Sequence, residues 1–353
     1  MSRNGPPLSI LHVLLHAGFG GAGTYCLDLA LRQRDAGHRV GFVVRPQKAG
    51  GGPSIHDHLP GDIPRYLAWR PFEPFSIGGA VARFKPDILH AHVGRSARAV
   101  GAMRRRPPAV TSLHNRYRAK ESARLDGVIR IAEWQRQDMA GYAGRAETIS
   151  NWLPRRADVR PGEVEAARRR VGAGPDDLLL GCVGRLHRVK GVDLLIEAFR
   201  AEAPVGARLA VLGDGPERAA LEALAAGDPR ISFVGHVVDP APWYRALDLF
   251  VMPSRIEPFG ISALEAMAAG APILGTDAGG LGEILQRTAA VVVRADDRAA
   301  LQSALAELIS ARPGRVRYDL QAYQGEAAAE RIERFYRSVI GETAKPLARA
   351  EAA

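Results

Sequence analysis

The sequence predicts an α/β protein built from two doubly wound, Rossmann-like domains, and three observations lead there. Short apolar runs alternate with helix-like stretches, the pattern of parallel strands joined by crossover helices. The pattern stops at a Pro-, Arg- and Gly-rich cluster at 154–162 and then begins again. A chain of 353 residues that is 46% hydrophobic has the material for two cores.

In the first half the expected strands are "LSILHVLLHA", "HRVGFVVR", "PDILHAH", "PAVTSLH", "DGVIRIA" and "ETISNWL". "TYCLDLALRQRDAG" is the clearest of the helices between them, stopped by Gly37. After the linker, "LLLGCVGR", "ARLAVLGDG", "RISFVGHV", "DLFVMPS", "APILGTD" and "AAVVVRAD" repeat the alternation. Two such domains in tandem leave a cleft between them as the expected ligand site.

Bulk properties narrow the function. Cys26 and Cys182 stand in separate apolar stretches, so packing is expected of them rather than a disulfide or a thiolate metal site. No run of about 18 apolar residues exists, and the first apolar run is too short and wrongly flanked for a signal peptide, which points to the cytoplasm. Residues 1–154 carry 22 Lys and Arg against 11 Asp and Glu, whereas 155–353 carry 26 against 27. The positive charge thus belongs to the first half, which suits an anionic partner, either nucleic acid or an acidic membrane surface, or else a solvated basic face. Aromatics for base stacking are sparse and no nucleic-acid motif is present, so nucleic acid is not expected.

Gly18, Gly20 and Gly23 form GxGxxG after the first apolar run, the spacing of a dinucleotide-binding loop. Such a loop requires an acidic residue at the end of the second strand to bind ribose; Arg45 stands there, which leaves an NADP-type oxidoreductase or a plain strand-to-helix turn open. In "GRLHRVKGVDLLIEAF", Arg185 and Lys190 follow a strand and precede a helix starting near Asp193, an arrangement suited to a diphosphate. In "EPFGISALE", Glu257 and Glu265 are eight apart, about 12 Å if both lie on one helix. That exceeds the carboxylate separations of glycosidases, so the two acids are expected to hold separate parts of one long ligand. No DxD stretch or metal-ligand cluster is evident, and no metal or other cofactor is expected.

Taken in order, "GGAG", "HAH", "GRLHRVKG", "LGDGPER", "FVGHV", "EPFGISALE" and "GGLGEIL" resemble the motifs of the retaining GT-B glycosyltransferases of the large family 4 group, over nearly the whole chain. The resemblance implies a GT-B fold with domains at 1–154 and 155–327, and a last helix at about 328–345 packing back on the first. It implies a metal-independent, hexosyltransferase-type enzyme using a nucleotide-diphosphate sugar. Arg185 and Lys190 would bind the diphosphate, and Glu257 the hydroxyls of the transferred sugar. Backbone amides of Phe259, Gly260 and Ile261 would meet sugar or phosphate oxygens, Glu265 the ribose, and the Gly235–Val237 segment the base. Gly20 and Gly21 would approach the donor, and His92 would face the sugar near its anomeric carbon. Same-face attack by the acceptor hydroxyl would retain configuration, with a β-phosphate oxygen accepting the proton.

Some residues depart from the family or have simpler readings. An Asp commonly follows the His matched by His114, where this chain has Asn115, and "QRTAAVVVRADD" lacks the usual glycine. His90 suits the core, Asp214 a turn and Glu283 a helix end. "RRRPP", with Arg104, Arg105 and Arg106, and "NRYRAKESAR" would bring the first domain to an anionic membrane, where a glycan or lipid-linked acceptor of lipopolysaccharide or other surface polysaccharide synthesis is expected. A non-catalytic protein that binds a nucleotide-sugar or a nucleic acid remains the other alternative.

Overall fold

The computed structural model describes residues 5–16, 18–47 and 54–350, with side chains through Gly341, and divides into two compact units. The first comprises residues 1–154 and 323–353, the second 155–322. The return into the first unit comes at Tyr323, a few residues before the expected boundary at 327.

The first unit runs β1 (Ser9–Leu14), α1 (Gly21–Asp35), β2 (Arg39–Val44), β3 (Arg65–Leu67), α2 (Glu73–Phe84), β4 (Ile88–His92), α3 (Val93–Gly101), β5 (Ala109–Leu113), α4 (Ala119–Ser122), β6 (Gly127–Arg130) and β7 (Arg145–Thr148). Its described strands form one parallel seven-stranded sheet in the order β3-β2-β1-β4-β5-β6-β7. Strands β1, β4 and β5 are nearly all buried, so they read as apolar runs with no polar alternation. Two elements differ from expectation. β3 is a three-residue edge strand without an apolar run to announce it. "ETISNWL" is largely not strand: β7 ends at Thr148, and Ile149 and Trp152 turn into the core instead.

The second unit holds α5 (Glu163–Arg170), β8 (Leu178–Val183), α6 (Val192–Glu202), β9 (Ala207–Leu212), α7 (Arg218–Ala225), β10 (Ile231–Gly235), α8 (Ala241–Ala246), β11 (Leu249–Met252), α9 (Ile261–Ala268), β12 (Ile273–Thr276), α10 (Gly279–Leu285), β13 (Val291–Val293) and α11 (Arg298–Ala311). Its parallel sheet runs β10-β9-β8-β11-β12-β13, with Leu195, Phe199, Leu209 and Val251 at the centre of one core face.

The chain ends in α12 (Gly325–Ala350), which belongs to the first unit. Ala328, Ile332, Phe335, Tyr336 and Val339 recur at helical spacing and enter the core with Ile10, Leu29, Ile88 and Ile129. At the start of α12, Arg32 bridges Asp28, at 2.6 Å, and Glu326, while Trp152 also donates to Asp28. Cys26 and Cys182 are free and buried, as expected. No described helix is long and apolar enough to cross a membrane.

Candidate functional site

In the second unit, two loops at the carboxyl ends of neighbouring strands meet. After β8 the chain makes a short 3-10 turn at Arg188–Lys190, capped by the His187 ring. After β11 it runs through Pro253–Gly260 into α9. The loops interlock because Val189 O accepts from Arg255 N and Ile256 N, at 2.8 and 3.1 Å. The Arg255 guanidinium forks onto Asp193, both contacts at 2.7 Å, and also donates to Arg188 O. Gly191, at φ +67°, lies so close that a Cβ would stand 2.0 Å from Pro253 O, so no other residue fits.

This interlock brings Lys190 to Glu257: Nζ donates to Oε2 at 2.5 Å, with Glu257 6% exposed. The buried Ser254 hydroxyl donates to the same oxygen at 3.4 Å, and Thr276 donates to Ser254 O at 2.6 Å. Arg185 stands on the same β8 loop, exposed and with no ion-pair partner among the described residues. A small cavity lined by Gly184, Lys190, Pro253 and Ser254 lies beside the pair. The arrangement offers a free guanidinium, an ammonium and a carboxylate within one pair of loops.

Glu257 and Glu265 are not on one helix, so the 12 Å helical spacing does not apply. Glu257 lies in the loop, and Glu265 is inside α9, which begins at Ile261. Gly260 is the N-cap at φ +111°, a backbone state L side chains rarely adopt. Gly280 N, in α10, donates to Glu257 O at 3.0 Å, so "GGLGEIL" supports the "EPFG" loop. Phe259 is buried beneath it. Glu265 is already engaged: Arg156 contacts Oε1 at 2.6 Å and Tyr244 donates to Oε2 at 3.1 Å. Burial opposes the charge on Arg156, but the Glu265 carboxylate outweighs it and raises the guanidinium above its usual range. The sequence reading missed both partners; Arg156 lay in what read as linker, and nothing in sequence ties it to residue 265. Gly235 ends β10 at φ +83°, and Val237 follows it half-buried.

In the first unit, Gly20 caps α1 and Gly21 opens it. A Cβ on either would meet nothing within 4 Å, so the space over the turn is open to a ligand. His92 lies inside the first unit. Its ring is fully buried: Nε2 lies 2.9 Å from His12 Nδ1 and Nδ1 lies 3.4 Å from His114 Nε2, so it presents no free nitrogen. His114 stands at the outer end of this chain. His12 pairs with His90 across β1 and β4, and one ring nitrogen from each of His12, His90 and His92 lies within 4.8 Å of the others. That grouping could suit a divalent cation, but each nitrogen already has a partner: Gln33 also holds His12, and Tyr336 and Ser112 hold His90. Burial lowers His12 and His114 to about 4 and, with the neighbouring rings, takes His90 and His92 well below the usual value. Sequence distance hid this cluster; its one signal was the period-2 pair His90 and His92 beside a strand that also carries a histidine.

Of the basic stretches, Arg104 and Arg105 are exposed, but Arg106 is a structural residue. It pairs with Asp126 at 2.5 Å and donates to Arg124 O.

Two Rossmann-like units, the second with Arg185, Lys190 and Glu257 on the loops at its strand ends, are the architecture of a two-domain group-transfer enzyme. Residues 19–159 match the model of "Glycosyltransferase Family 4" and 177–311 that of "Glycosyl transferases group 1". The chain belongs to the group 1 glycosyltransferases, and its fold is of the GT-B class. It is 37% identical over 169 residues to the lipopolysaccharide core biosynthesis mannosyltransferase LpsB of Rhizobium meliloti, a match covering 43% of this chain and 47% of that enzyme. It is 27% identical over 394 aligned positions to a D-inositol 3-phosphate glycosyltransferase of Thermobispora bispora, covering 91% and 92%. The crystal structure of Anabaena HepE in complex with UDP-glucose superimposes with a TM-score of 0.73 at 20% identity, over 97% of this chain and all of that one.

Proposed function

We propose that this glycosyltransferase takes a sugar from a nucleoside-diphosphate donor and passes it, with retention, to a glycan or lipid-linked acceptor in lipopolysaccharide or other surface-polysaccharide synthesis. The observation that carries the reading is the Lys190–Glu257 pair, drawn to 2.5 Å by two strand-end loops, with Arg185 exposed on the loop after β8. A donor diphosphate would take Lys190 and Arg185 as counter-charges, and Glu257 would accept from sugar hydroxyls. As the bond to the leaving group breaks, negative charge grows on the diphosphate, where fixed cations lower the barrier, and positive charge grows on the ring, where Glu257 opposes it. The acceptor hydroxyl bonds to the anomeric carbon on the face the nucleotide leaves, and its proton passes to a β-phosphate oxygen. Glu265, held by Arg156 and Tyr244, would receive the ribose hydroxyls, with Gly235–Val237 against the base. The reading invokes no metal, so a chelator should leave turnover unchanged. HepE, crystallised with UDP-glucose, and LpsB, a mannosyltransferase, support the donor class and the biosynthetic setting.

Calorimetric titration with UDP, GDP, ADP and NADP tests it, on the wild type and on Glu265→Gln, which retains the packing. One nucleoside diphosphate should bind and the variant should weaken it about tenfold or more, the cost of losing a charge-assisted contact. Binding of NADP alone, undisturbed by the variant, would return the chain to the oxidoreductase reading. Inversion at the anomeric carbon of the product would reject retention.

A further inference from the structure

Between edge strand β3 and the first turn of α2, three large aromatic side chains face solvent: Trp69, Phe72 and Phe75 are 58%, 66% and 84% exposed. Leu67 at the end of β3 is also exposed. Phe72 caps α2 and Phe75 lies in its first turn, so the cluster forms one corner. An exposed aromatic group of this size is not a normal surface feature of a soluble domain.

The corner adjoins a row of positive charge. Arg70 and Arg95 share one carboxylate, Glu73, at 3.7 and 2.6 Å. Helix α3 carries Arg98 one turn beyond Arg95, and Arg98 and Arg118 share Glu121 on α4, at 3.7 and 4.0 Å. Helix α2 packs on α3, and α3 on α4, so these ion pairs trace a continuous line across three neighbouring helices. Lys120 adds another exposed cation. Along this line two carboxylates are outnumbered by cations, in the half of the chain that carries the positive charge.

Aromatic rings suit the zone between lipid headgroups and acyl chains, and cations beside them suit anionic headgroups. We propose that the β3–α2 corner and the basic row of α2, α3 and α4 dock the protein on an anionic lipid surface, with Trp69, Phe72 and Phe75 entering the interface. This deepens the acceptor side of the proposed function without resting on the donor chemistry. It also moves the expected contact away from "RRRPP", where Arg106 has a structural role.

Flotation of the full chain with vesicles tests it, comparing phosphatidylcholine alone with phosphatidylcholine containing phosphatidylglycerol. The wild type should float with the anionic vesicles only, and less at high salt. Trp69→Ser/Phe72→Ser/Phe75→Ser should lower partitioning about tenfold or more, since each ring buries a large apolar area. Arg98→Gln/Arg118→Gln should lower it about tenfold or more as well, from about fivefold per charge. The substituted side chains are exposed, so unchanged thermal unfolding and nucleotide binding will show the variants folded. Trp69→Phe should float normally yet lose the lipid-induced shift of tryptophan fluorescence. Failure of the wild type to float overturns the proposal, as does equal flotation of the aromatic variant. Binding of soluble glycans or nucleic acid at this corner in place of vesicles also overturns it. Loss of nucleotide binding in the wild type would instead strike the transferase reading.

Discussion

A single amide sets the protonation of the buried histidines. Gln33 Oε1 can only accept, so His12 must carry its proton on Nε2, 2.8 Å away. His12 Nδ1 is then bare and accepts from His92 Nε2, and His92 Nδ1 accepts from His114 Nε2. Three neutral rings thus share one tautomer, consistent with burial depressing each of them. Nitrogen-15 NMR of histidine-labelled protein should find Nδ1 unprotonated in all three. Gln33→Glu, still an acceptor, should preserve the pattern and Gln33→Met should scramble it; an Nδ1–H form at His92 in the wild type would refute the directed chain. At Gly260 the limit is the backbone. Gly260→Ala must hold φ +111° and press its Cβ to 3.1 Å from Leu281, at a cost of about 1–3 kcal/mol. Urea denaturation should show the second unit weakened by that amount, and an unchanged midpoint would mean the loop relaxes freely.

At the scale of elements, the strand-end loops depend on a fork that only arginine supplies. Arg255→Lys keeps the charge but cannot bond both Asp193 oxygens and Arg188 O at once. The Arg188–Lys190 turn should loosen, so nucleoside diphosphate should bind about tenfold more weakly by calorimetry while the first unit melts unchanged. Equal affinity would show that Arg255 does not position Lys190. The elements themselves were largely legible because buried parallel strands are written as apolar runs; β3, short and at an edge, and the residues after β7, apolar but bound for the core, were not. The site was legible as residue types and not as partners. Lys190 and Glu257 both stood out, but their pairing spans 67 positions, and Arg156 with Glu265 spans 109. Such contacts depend on how sheet ends converge, which local pattern does not encode. The partners of His92 were hidden for the same reason: a strand-end position does not say whether the ring meets a neighbour such as His12.

At the scale of the molecule, the chain leaves the first unit after Pro154 and returns at Tyr323, so a helix far away in sequence completes the first core. The same unit also holds the buried histidines His12, His90 and His92. This arrangement should make the two units respond differently to acid. Folding keeps His12 and His114 neutral down to about pH 4, whereas unfolded histidine titrates near 6.5. Between those values the unfolded chain binds more protons, so stability rises with pH there and is lost as pH falls from 6.5 toward 4; above 6.5 the rings have no effect. Each ring contributes a slope of about 1.4 kcal/mol per pH unit inside the window. Scanning calorimetry should therefore show the transition of the first unit level from pH 8 to 7, then falling by about 5–10 °C between pH 6 and 5. Phe335→Ala identifies that transition independently, because it removes a ring from the same core at a cost of about 3–5 kcal/mol and leaves the second unit untouched. If the transition marked by Phe335→Ala stays level with pH, or the other falls as steeply, the neutral histidine cluster is not what makes the first unit acid-sensitive.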